Sequence, residues 1–358
     1  MIRKGVHTML APGSLGAALM LLALPSCQKI PPTGVTTNPG ESVVRQLWSE
    51  SRPATGFSRE ATGVRATVLG TTTVLSHAGP LSSSGGSDEA SLLSASVPGT
   101  LAARVLHAAT IGQGDRSRSE ASTADLGLTI AGQTIQASFL MARAEAICAS
   151  GGPQARGSSE IVGLTINGTP ITVTGAPNQT VLLPGGLGRV VINEQNGSPG
   201  DITVSALHVV VTGVADVVVS SAHADITCRG TPSCTGSDFV TGGGWITGTP
   251  SGAKGTFGVA GGIKNGSFWG HLTYVDHGPS GPHVKGTGVT AYTVVSPTTR
   301  HIEGTCTIDG AGGYNYRADV SDNGEPGRND TFTLRLSNGY TASGTLGGGN
   351  IQLHGPCR

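Results

Sequence analysis

Charge and aromatic rings are scarce in this chain. Asp, Glu, Lys and Arg make up 12% of its 358 residues, and Phe, Trp and Tyr only 4%. The 22 basic residues balance the 22 acidic ones, which leaves none of the cationic excess that displaces counterions from nucleic acid. Nucleic acid is therefore excluded as a partner. Long apolar runs are missing too: Leu15 to Leu24 falls short of the about 20 residues that a spanning helix needs, and no later stretch reaches that length. There is no H-E-x-x-H, no phosphate-binding Walker loop, no G-x-S-x-G elbow and no C-x-x-C unit. GTGVTA, Gly286 to Ala291, lies inside a strand run with no helix after it, so it is no dinucleotide fingerprint.

Glycine is what the chain has in abundance, 57 residues of it, accompanied by Val, Thr, Ile and Ser. Gly and β-branched residues both disfavour helices, so the mixture predicts short strands and tight turns. No Gly-X-Y period exists, and the apolar content is too high for disorder.

The N-terminus has a basic start at Arg3 and Lys4, the apolar run, and then small residues before Cys27. This is the layout of a secretory signal. Leu24-Pro25-Ser26-Cys27 resembles a lipobox, with Pro25 as a departure. The expectation is export, with lipid at Cys27 attaching the protein to a membrane of the cell envelope. Residues 1–27 are the signal, and 28–56, which contain Pro, Ser and Thr without apolar periodicity, are a flexible tether.

Five cysteines remain, and in an exported chain disulfides are the expected use. We favour Cys148 with Cys228 and Cys306 with Cys357, which leaves Cys234 over. An odd number keeps the connectivity open.

From Phe57 onward, alternating runs punctuated by Gly, Asn and Pro predict an antiparallel β-sandwich over 57–228. Asn167-Gly168 between β-branched runs marks a hairpin, and SSSGGSD, Ser82 to Asp88, a flexible loop. Only Phe57 and Phe139 are aromatic in this half. After a linker at 229–237 the composition shifts: eleven aromatic residues follow, in eight successive strand candidates over 238–358. That pattern predicts an all-β meander, closed into an eight-stranded barrel or flattened barrel.

ATGVRATVLG, SDEASLLSASVPG and the strands ending at Cys148 and Cys228 resemble the bacterial choice-of-anchor P family. DFVTGGGWI, HLTYVDH, DNGEPG and LSNGYTASGTLGGGNIQLHG are similar to the post-COAP domain that often follows it. The resemblance covers Phe57 to Cys357 and implies an exported surface protein whose anchor differs from member to member. It supplies no catalytic residue.

Three side-chain groups could carry chemistry. DVSDNGEPGRND places oxygen ligands at Asp319, Ser321, Asn323, Glu325 and Asp330 with Gly324 sixth, which approaches a calcium loop; the alternative is a polar turn. His271, Asp276, His277 and His283 flank a hairpin, and we read them as such, because two imidazoles without a third ligand make a poor zinc site. Trp245, Trp269, Tyr274 and Tyr292 could line a sugar-stacking surface or fill a core. The sequence thus favours a non-enzymatic structural or adhesive surface protein. Its alternatives are a carbohydrate-binding module or calcium-dependent lectin, with a glycan or envelope polymer as partner, and, third, a hydrolase of such a polymer.

Overall fold

Asn167 and Gly168 take positive φ, 51° and 75°, and Ile166 pairs with Thr169 across them. Two successive positive φ values define the turn whose twist matches a hairpin, and Asn-Gly adopts them most readily. The computed structural model describes residues 55–229 and 236–355. The signal, most of the tether, Cys27, Cys234 and Cys357 lie outside the described residues.

The described residues are all-β, with antiparallel sheets throughout. A central sheet of seven strands is built on Gly86–Val97, Leu101–Gln113, Arg116–Ile130, Gln133–Ala149 and Gly152–Val162. A flanking sheet of six includes Gly188–Ser198, Asp201–Val211, Ala215–Asp225 and Glu60–Val68. Leu106, Leu140, Val204, Leu207, Val217 and Val219 fill the space between them. This is the expected sandwich. Ser82 to Asp88 differs from expectation: Ser82 to Gly85 close a tight turn and the next strand already begins at Gly86, so little of the segment is loop.

Beyond the linker, nine strands run in sequence order except the last, Gly348–His354, which pairs with the first, Phe239–Ile246. Eight were expected. The final candidate is split between Thr341–Thr345 and Gly348–His354, because Leu346 and Gly347 carry the chain across the seam. There the Leu346 amide donates to Asp330 O at 3.0 Å and the Gly347 amide to Trp245 O at 2.8 Å. The sheet therefore curls into a half-barrel, with Thr341–Thr345 and Gly348–His354 as its two edge strands. Its interior is filled by side chains, with the Phe257 and Phe332 rings stacked 3.9 Å apart.

Cores form separately within the sandwich and the barrel, yet both belong to one compact unit, Ser51–Arg358. A third cluster joins Val105, Phe139 and Met141 of the central sheet to Val275 of the barrel. The close approach depends on glycine. Gly243 and Gly258 face each other in neighbouring strands, and a Cβ on them would stand 2.3 Å from Ser122 Oγ and 2.8 Å from His107 Cβ respectively. Bare backbone lets the barrel wall lie on the sheet.

Candidate functional site

Because the flanking sheet covers one face of the central sheet and the barrel the other, alternate residues of its strands point to different neighbours. On the barrel side, cross-strand register sets Glu89, Ala109, Glu120, Arg143 and Ser158 side by side. The next rung brings together Ile111, Arg118, Glu145 and Arg156. This charged grid floors a cleft of about 290 Å³. Thr241, Asn350 and His354 of the barrel's first and last strands, with Glu325 and Pro326 of the 322–330 loop, line the opposite side.

Three guanidinium groups converge on one carboxylate in the floor. Arg118 Nε reaches Glu145 at 2.7 Å, Arg116 Nη1 at 3.2 Å and Arg156 Nε at 2.5 Å. Burial alone would raise the Glu145 carboxyl, but the Arg118 and Arg156 charges and hydrogen bonds hold it below the ordinary range. Arg143 is less well matched: its Nε meets Ser158 Oγ at 3.3 Å, and its Nη1 stands 3.9 Å from Glu325. Burial pushes the Glu325 carboxyl up, while Arg143 and the bond from Asn350 pull it down.

Glu120 is the cleft end of a buried chain of four groups. Its Oε1 lies 3.2 Å from His107 Nε2, His107 Nδ1 lies 3.0 Å from His271 Nε2, and His271 Nδ1 contacts Glu89. Filling these three bonds takes three N–H groups on four ring nitrogens, so the fully bonded chain carries one imidazolium. Burial holds the His107 imidazole below its ordinary range. Glu89, though burial raises it, is brought below the usual carboxylate range by the His271 charge and hydrogen bond.

His354 is also buried, with Nε2 2.8 Å from Thr241 Oγ1, and its pKa is well below the ordinary value because of that burial, with Arg118 adding to it. Unfolded, both His107 and His354 titrate near about 6.5. The native state thus binds fewer protons, so their contribution to stability is complete above that pH and is lost as pH falls toward the depressed values. Asp330, pushed up to about 6 by burial, acts in the opposite sense, favouring the fold as pH drops from about 6 toward the unfolded carboxyl range. We expect the melting temperature to fall between pH 7 and 5, and His354→Gln to flatten that fall; an unchanged slope in the variant would refute the assignment.

The sequence-predicted calcium ligands are not brought together. Asp319 bonds His301 at 2.7 Å and Arg335 at 2.9 Å, and Ser321 meets Thr299 at 2.9 Å. The strand Ala311–Ser321 continues through both positions, so they pair across the sheet instead of turning inward. Asp330 accepts the Asn323 and Ile351 amides at 2.7 and 2.8 Å, while Asn323 Nδ2 donates to Asn329 O. Only Glu325 reaches the cleft. Among the described residues no group of three or more acidic, His or Cys side chains converges as metal ligands.

The aromatic set is likewise dispersed. Tyr274 is fully buried in the barrel interior and hydrogen-bonds Tyr340 at 2.7 Å. Trp245, one strand parity away, packs outward at the contact with the central sheet under Lys254. Trp269 lies edge-on to Phe239, and Tyr292 donates to Asp238. His277 bonds Asp125 and Thr256, apart from the His271 chain. Of the disulfides, Cys148–Cys228 is formed. Cys306 is instead a buried free thiol facing the barrel core, pushed up to about 11 by burial.

The cleft itself was not foreseen. Its signal lies in RSRSE, ARAE and ARGSSE, Arg116–Glu120, Ala142–Glu145 and Ala155–Glu160, where charged residues or Ser158 recur at every second position among small residues. That pattern marks a sheet whose polar face is covered.

No protein-family model matches the chain, and no curated protein matches it. Among solved structures, the chain is similar to kievitone hydratase from Nectria haematococca at 10% identity and a TM-score of 0.20, over 86% of this chain and 92% of that one; a likeness this slight carries no argument about function.

Proposed function

We propose that this is an exported, non-enzymatic protein of the cell envelope, held to a membrane by lipid at Cys27, with a structural or adhesive role. The observation that carries the reading is the build of the body. The barrel interior is packed solid around Phe257 and Phe332, the barrel is seated on the sandwich, and the sandwich is cross-linked at Cys148–Cys228. A rigid, cross-linked β-body suits exposure outside the cytoplasm, where disulfides persist. The resemblance to the choice-of-anchor P and post-COAP families points the same way.

Lipid attachment is tested by expressing the full chain in bacteria and partitioning the envelope fraction into detergent. The expected result is recovery in the detergent phase, with Cys27→Ala moving the protein to the aqueous phase. Retention of the unaltered chain in the cytoplasm would overturn export, and identical partitioning of the two chains would overturn the lipid anchor.

A further inference from the structure

The cleft between the central sheet and the barrel has the makings of a ligand site independent of how the protein is anchored. Its polar groups are incompletely used. Arg143, 17% exposed at its side chain, has a buried Nη1 without a hydrogen-bond partner. Asn350 is 1% exposed; its Nδ2 donates to Glu325 Oε1 at 3.2 Å, and its Oδ1 has no hydrogen-bond partner. An unspent donor and an unspent acceptor on residues lining one cleft are each costly to bury without a partner.

The remaining lining narrows the chemistry. Glu120, whose Oε1 is engaged by His107, presents a carboxylate to the cleft beside Arg143. Ala109, Ile111 and Pro326 supply an apolar wall. The Glu120 and Glu325 carboxylates near Arg143 resist a doubly charged anion, whereas a single carboxylate can pair with the guanidinium. A molecule that also carries hydroxyl groups can donate to Glu120 and Asn350 and lay its C–H face on the apolar wall. The volume, about 290 Å³, sits at the small end of ligand pockets, which begin near about 300 Å³. A bulky or polymeric ligand could place only one unit there.

We propose that this cleft binds a hydroxylated monocarboxylic acid of monosaccharide size, a sugar acid, with its carboxylate on Arg143 and its hydroxyls on Glu120 and Asn350. Glu325 is the intramolecular competitor: its carboxylate is the group now nearest Arg143 Nη1, at 3.9 Å, and it belongs to the loop that roofs the cleft. Ligand and Glu325 contend for one cation, so neutralising Glu325 strengthens binding.

The test is titration calorimetry on the full chain with D-glucuronate as probe, and with D-glucose and acetate as the uncharged and the hydroxyl-free controls. Glucuronate is expected to bind with Kd below about 1 mM and at least about tenfold more tightly than either control, since a charge-assisted pair contributes that much or more. Arg143→Gln should weaken it by at least about tenfold. Glu325→Gln should tighten it about two- to fivefold, the size expected for loss of a partly exposed ion pair. Arg189→Gln, on an exposed site of the flanking sheet, should change nothing. A purely structural role for Glu325 could not produce tighter binding. Absence of saturable glucuronate binding, equal binding of acetate, or wild-type affinity in Arg143→Gln would each overturn the proposal. Should Arg143→Gln fail to melt cooperatively, Arg143→Lys and Glu325→Gln decide: weaker binding in the first and tighter in the second uphold it, and any other pair of results refutes it.

Discussion

Replacing Cys148 and Cys228 together with alanine lowers the stability of the fold by about 4.5 kcal/mol. The bridge closes a loop of 80 residues, and constraining a loop of that length in the unfolded chain accounts for that amount on the chain-entropy estimate. Cys148 ends a strand of the central sheet, and Cys228 follows the last strand of the flanking sheet, so the link spans the two layers. Both sulfurs pack against the sandwich core, which makes alanine a gentler replacement than serine. The measurement is thermal unfolding with and without reductant, where a domain of this size should lose roughly 10 °C. The double variant should melt with the reduced wild type and no longer respond to reductant. Superimposed curves for oxidised and reduced wild type would show that the bridge constrains nothing.

Asp238→Ala is expected to cost about 3–5 kcal/mol, the usual result of stranding a buried charge. Arg300 is fully buried, and its Nε and Nη2 both reach the Asp238 carboxylate at 2.6 Å. The Tyr292 hydroxyl donates to the same carboxylate. These hydrogen bonds and the Asp238 charge raise the Arg300 pKa against the pull of its own burial. Without Asp238, the guanidinium keeps the Ser296 and Thr299 carbonyls, at 2.8 and 2.9 Å, but loses its counter-charge. Adding Arg300→Met to Asp238→Ala should recover most of the loss, because removing both members of a buried pair is far milder than removing one. Chemical denaturation of the two single variants and the double variant measures this coupling. Additive losses would mean the pair does not act as a unit.

Much of the architecture was legible because it rests on local signals. Alternation, Asn-Gly and the compositional shift after Cys228 each report on a few adjacent residues, and the strands, the hairpin and the sandwich-then-barrel order follow from them. The Cys148–Cys228 pair was reachable through its position at two strand ends. The cleft was harder to read, since Glu120 and Arg143 become neighbours of Asn350 only when distant segments pack. Parity undid the aromatic site: Trp245 and Tyr274 alternate between outside and inside once their strands are placed. The acidic loop misled for a related reason. Its spacing suits a loop only if the chain leaves the sheet at Asp319, whereas His301 and Thr299 keep it paired through Ser321.

The barrel seam bears on how the molecule matures. Strand Gly348–His354, which follows every other strand of the meander, pairs with its first strand, Phe239–Ile246, and supplies Asn350 and His354 to the roof of the cleft. Such a distant pairing is a slow step in folding. Until it is made, the first barrel strand has an open edge and the floor of charged rungs has no lid. A protein in which Gly348–His354 is undocked would keep its sandwich and most of its meander and still have no cleft, so competence at that site reports that this strand is in place.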